Sequence, residues 1–200
     1  MNKFVVINTH YNSLLEELIE LQYYDIADDL IAETLSYYAK YQDLKETIKV
    51  VGKLNKIKKE TKDFVTAKGY YYQNRSDKAI KIMKNIFHLK REYSVFYLRM
   101  LDQYQEGNEI LKIIANFDHQ LDFGTSLFIE FLKIKHQNSN QLISFIKTNF
   151  YDNCILISEY ELLIYFLEEG KKIFKNIYYY KDALNLETKI IARIKLLLFA

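Results

Sequence analysis

Apolar and polar residues alternate along this chain in blocks that recur. Aligned without gaps, FVTAKGYYYQNRSD (64–77), VFYLRMLDQYQEGN (95–108) and LFIEFLKIKHQNSN (127–140) each run from an apolar helical stretch to a polar end at Asp77, Asn108 or Asn140. A short side-chain oxygen in such a place accepts from the free amides of a first helical turn, so these three residues are expected as N-caps, each followed by a second helix. The segments that follow also match: AIKIMKNIF (79–87), EILKIIANF (109–117) and LISFIKTNF (142–150). Ile80, Ile110 and Ile143 correspond, then Met83, Ile113 and Ile146, then Phe87, Phe117 and Phe150, and these offsets lie on one stripe of an α-helix. The repeating unit is a helix hairpin of roughly 31 to 33 residues.

The pattern continues in both directions. One amphipathic helix is expected over 11–23, carrying Leu14, Leu15, Leu18 and Leu21, and hairpins over 25–57, 58–88, 90–117 and 121–150. In the first of these hairpins Leu44, Ile48, Val51 and Leu54 form the inner face of the second helix. Residues 155–200 supply a last, longer pair divided near Gly170 or Lys181, which gives about eleven helices in one domain spanning 1–200. Composition agrees with an all-α chain. Half of the 200 residues are apolar or aromatic, enough for a substantial core, while the absence of proline and a total of five glycines leave little material for tight β-turns.

Period and motif resemble tetratricopeptide repeats, which stack helix hairpins into a right-handed solenoid with a concave face. In the best copy Ala67 matches the small residue of the first helix, Tyr70 the aromatic three positions on, and Ala79 the small residue of the second helix. The likeness extends over 25–198 in period and over 64–87 in motif; the tryptophan-type position, the turn glycine and the terminal proline are missing. The resemblance implies a solenoid whose first helices wall a concave surface. There Tyr37, Tyr70, Tyr71, Phe96, Tyr97 and Tyr104 are the candidates to grip an extended peptide or partner helix, since tyrosine combines large contact area with one hydrogen bond.

Eighteen tyrosines, clustered as Tyr23-Tyr24, Tyr37-Tyr38, Tyr70-Tyr71-Tyr72 and Tyr178-Tyr179-Tyr180, sharpen that picture. Successive helical side chains are about 100° apart, so three in a row cannot share a face: at least one packs while another meets solvent or a groove.

Charge opens a second reading. The formal total is only +2, too small for a strong field over the whole molecule, yet residues 16–33 carry seven acids and no base, and residues 45–62 carry seven lysines against Glu46 and Glu60. These stretches are solvated helix faces or, for Lys45, Lys49, Lys53 and Lys56, a strip able to follow phosphates. The near-neutral total and the presence of only four arginines argue against sequence-specific nucleic-acid readout. Peptide-sensing bacterial regulators join a similar repeat domain to a DNA-binding helix-turn-helix, and by that resemblance this chain corresponds to the sensor part.

Catalytic chemistry finds little support. His10, His88, His119 and His136 are dispersed, no metal-binding spacing occurs, and no glycine-rich loop precedes a lysine. Glu16-Glu17, Asp28-Asp29 and Glu168-Glu169 are sequence neighbours that point in different directions on a helix. Cys154, the only cysteine, lies beside Asp152, which discourages a thiolate, and it permits no internal disulfide. No cofactor is therefore expected. The start of the chain has too short an apolar run for a secretory signal, and no stretch approaches the ~20 apolar residues of a membrane span, so a cytoplasmic location is expected. The apolar end ARIKLLLFA is expected to tuck into the last hairpin, to pair with another copy, or to continue into a longer protein. The expected function is a non-catalytic protein- or peptide-binding module.

Overall fold

Small side chains set how closely the first two described helices approach. The computed structural model describes residues 58–150, 153, 156, 157, 160–176 and 185–193, all but a few of them helical. Contacts divide the chain into two compact units, Met1–Tyr104 and Gln105–Ala200. In the first, α1 (Lys59–Tyr72) packs on α2 (Ser76–Ile86), and α2, continued by a 3-10 turn at Phe87–Leu89, packs on α3 (Arg91–Gln103). Ala67 of α1 and Ala79 of α2 are fully buried small residues of the packed pair, while Gly69, also buried, lies about 200° round α1 from Ala67. Phe64, Val65, Met83 and Ile86 fill the space around that contact.

α3 is buried on all but one narrow polar side, where Glu92, Arg99 and Gln103 fall. Tyr93, Val95, Phe96, Tyr97, Leu98, Met100 and Leu101 all lie in the core, which leaves no exposed apolar stripe. Phe64 stacks on Tyr93 with ring centroids 4.2 Å apart and meets Phe96 edge-on at 5.6 Å. The start of α3 is fixed by Ser94, whose hydroxyl donates to the Phe87 carbonyl at 2.6 Å.

The second unit contains α4 (Gly107–Ala115), α5 (Phe123–Gln137), a 3-10 turn at Ser139–Gln141, the short α6 (Leu142–Phe145) passing into a π-helical turn at Ile146–Phe150, α7 (Tyr160–Asn176) and α8 (185–193). α4 packs on α5, and α5 on α6. Phe128 and Phe131 of α5 meet Tyr165 of α7 in edge-to-face contacts at 5.2 and 6.0 Å, the offset geometry that aromatic quadrupoles favour. Beside this aromatic core the buried Glu169 carboxylate of α7 accepts from Lys135 of α5 at 2.5 Å and from Lys172 at 2.7 Å. A buried charge is tolerable only when paired in this way.

Each of the expected hairpin stretches 58–88, 90–117 and 121–150 contains two helices, and the described residues contain no strand. Local detail departs from expectation in three places. Asp77, Asn108 and Asn140 are not N-caps: α2 and α4 start earlier, capped by Arg75 and Glu106 without a side-chain hydrogen bond, and Asn140 sits in a 3-10 turn. The backbone reverses through left-handed residues at Asn74 and Gln105, both at φ 59°, and this brings each helix start forward. Phe87 and Phe117 lie beyond the ends of α2 and α4, so the third member of the expected stripe is not α-helical there. Gly170 does not divide the last pair, because α7 runs through it to Asn176; an added Cβ would lie 2.5 Å from Cδ2 of Leu186 on α8. Lys181, the leading helix 11–23 and the pair over 25–57 fall outside the described residues. Among the described residues no helix is long and apolar enough to cross a membrane.

Candidate functional site

The candidate site surrounds the turn between α1 and α2. α1 ends in a Schellman motif: the Arg75 amide donates to the Tyr70 carbonyl at 2.9 Å and the Asn74 amide to the Tyr71 carbonyl at 3.0 Å. Asn74 takes the left-handed position that glycine most often fills, and asparagine is among the few other residues that tolerate it. The side-chain contact that usually closes such a motif is made here by a cation. The Arg75 guanidinium lies 5.2 Å from the Tyr70 ring centre, and Lys78 Nζ approaches the same ring at 5.6 Å. Such contacts contribute about 0.5–1 kcal/mol each at exposed positions.

Two side-chain bonds draw the end of α3 onto this turn. The Tyr71 hydroxyl donates to Oε1 of Gln103 at 2.7 Å, while its ring meets Phe96 edge-on at 5.3 Å and Tyr72 at 5.4 Å. The Tyr104 hydroxyl donates to Ser76 at the start of α2, leaving Tyr104 47% exposed overall. The three consecutive tyrosines thus divide their roles. Tyr70 carries the cations, Tyr71 joins α1 to α3 and Tyr72 flanks it; all three are half-buried.

Of the six aromatic residues expected to line a surface, Tyr70, Tyr71 and Tyr104 gather around this turn. Phe96 and Tyr97 do not line it, for they are 4% and 2% exposed. Phe96 is enclosed by Phe64 and Tyr71, and Tyr97 packs against Phe87 at 5.1 Å. The outward side of α3 is taken by Glu92, Arg99 and Gln103, so both rings turn into the core. Tyr37 and the strip Lys45, Lys49, Lys53 and Lys56 lie outside the described residues.

A cationic ridge on α2 escaped the sequence reading. Arg75, Lys78, Lys81 and Lys84 are all exposed and follow one another three residues apart, and none of them pairs with a carboxylate. Residues 58–104 hold eleven Lys or Arg against five Asp or Glu, a local excess that the near-neutral total hides. Segment-by-segment charge counting carried the signal. Among the described residues no group of three or more His, Cys, Asp or Glu comes together to hold a metal ion. His88 and His119 each sit edge-on to a neighbouring phenylalanine, and His136 packs against Gly107. The arrangement gathers half-buried tyrosine rings and exposed positive charge at one turn.

No protein-family model, curated protein or solved structure matches this chain.

Proposed function

We propose that the chain is a non-catalytic binding or assembly module, a tetratricopeptide-like right-handed array of about eleven helices that captures a protein or peptide segment. The observation that carries this reading is the convergence of Tyr70, Tyr71 and Tyr104 on one turn, where two cross-helix hydrogen bonds hold them in place before any partner arrives. Preorganised tyrosines lose little freedom on binding and present a large contact area. The array reading draws support from a second recurrence: the left-handed residues Asn74 and Gln105, followed by the helix starts Ser76 and Gly107, are both 31 positions apart, matching the sequence period.

The test is capture from native lysate on the immobilised chain, with and without nuclease, beside a Tyr70→Ala, Tyr104→Ala variant. These two positions are chosen because Tyr71 also packs on Phe96, so its truncation would confound folding with binding. A protein that withstands nuclease and is lost from the variant supports the reading. Recovery of nucleic acid alone would move the function to the Lys45–Lys62 strip, and recovery of the chain only with itself would leave a self-assembling component.

A further inference from the structure

We infer that the partner segment recognised at this turn is acidic, and that the ridge Arg75–Lys78–Lys81–Lys84 is the element that selects it; the inference rests on the binding reading above and adds the chemistry of the occupant. Residues three apart on a helix step back about 60° round the axis, so this ridge winds over roughly half of the helix circumference while rising roughly 13 Å, and its middle members Lys78 and Lys81 are the pair presented most nearly together. All four heads are exposed and none has a carboxylate partner among the described residues. Several cations elsewhere among the described residues are matched, Lys135 and Lys172 on Glu169, Lys171 on Glu187 and Arg91 on Glu92, while Lys112 and Lys133 are exposed without a carboxylate; what sets this row apart is four such cations in succession. Leaving four like charges unpaired along one ridge costs self-repulsion, which an occupant of opposite charge relieves. Axial steps of about 4.5 Å between cations suit carboxylates set three or four apart on a helix, which lie about 5–6 Å from one another. Half-buried Ile80 and Ile82 border the ridge and give the apolar side of such a segment a place to rest.

Geometry favours an acidic protein segment over a nucleic acid. A base needs an open ring face, and the Tyr70 ring is already approached by both Arg75 and Lys78. Asp77 is exposed in the same turn, where it would face a continuous phosphate backbone, whereas a peptide can place its carboxylates to either side.

The experiment is fluorescence anisotropy on the full chain with a labelled amphipathic peptide bearing Glu on one face and Leu on the other, its Gln counterpart, and labelled oligo-dT. The Glu peptide is expected to bind at least about tenfold more tightly than the Gln peptide, and more weakly as salt rises. Lys78→Glu with Lys81→Glu should lower that affinity by at least about tenfold while the thermal melt by circular dichroism stays unchanged, both residues being exposed. Lys81→Gln with Lys84→Gln should give a smaller loss in the same direction and serves if the reversal disturbs folding. Equal binding of Glu and Gln peptides, abolished by Tyr70→Ala with Tyr104→Ala, would overturn the acidic occupant and leave the tyrosine surface standing. Tighter binding of oligo-dT at equal salt would overturn it in favour of nucleic acid, and binding of none of the three would overturn it outright.

Discussion

At the start of α5 a carboxylate and a hydroxyl three residues apart have opposite fates. Asp122 accepts from the Thr125 amide at 2.7 Å and caps the helix, whereas the Thr125 hydroxyl is wholly buried with no hydrogen-bond partner. Asp122→Ala should cost about 1 kcal/mol, the usual value of a lost N-cap. Thr125→Val keeps the amide and the shape while removing the orphaned oxygen, so it is expected to be neutral or stabilising by about 1 kcal/mol. Chemical denaturation of the two variants beside the parent reads both signs at once. Gln105 offers a second contrast. It holds φ 59° without the short side chain that eases Asn74 into the same region, at a backbone cost of about 1–2 kcal/mol. Glycine removes that cost but loses about 0.5–1 kcal/mol in chain entropy, so Gln105→Gly should raise the melting temperature by a few degrees. Asn74→Gly should change it less.

Between elements, the α1–α2 contact depends on what is missing. Ala67 and Ala79 are fully buried, and a leucine at position 79 would force the helices apart at a cost of about 1–3 kcal/mol or more. Ala79→Ser, nearly equal in volume, should lose much less, and comparing their denaturation midpoints separates overpacking from polarity. These two alanines were singled out in the sequence only through the resemblance to tetratricopeptide repeats, which sets small residues at those positions. The helical class and the presence of helices within 58–88, 90–117 and 121–150 were legible because burial of one stripe imprints a period. The helix starts were not. An Asp or Asn near a boundary fits either a cap or the first turn, and the reversal at residues 74 and 105 is made by Asn and Gln, whose identity announces no left-handed backbone. At the site, Tyr70, Tyr71 and Tyr104 were legible as aromatics at helical spacing, but the same signal included Phe96 and Tyr97, since spacing does not tell which narrow side of a largely buried helix stays wet.

Across the whole molecule, two compact units of similar size make local stability the relevant quantity. Local opening runs through contiguous cooperative units, so a packing defect is felt first in the unit that holds it. Ala79→Leu should therefore speed amide exchange through residues 59–103 while peptides from α7 keep their slow exchange, as read by mass spectrometry. A uniform increase would show that the chain opens as one cooperative body. Uneven charge has a consequence for handling as well. A protein near its isoelectric point, here about 8.3 by sequence, is expected to pass through an ion exchanger unretained. Retention, however, follows the most charged face that can lie flat on the resin, and the winding ridge from Arg75 to Lys84 brings two or three exposed cations there at once. The chain should be held on a sulfonate column even at pH 8.3, and exchanging Lys78 and Lys81 for glutamate should shorten its elution more than the same exchange at Lys112 and Lys133, although both pairs change the total charge equally.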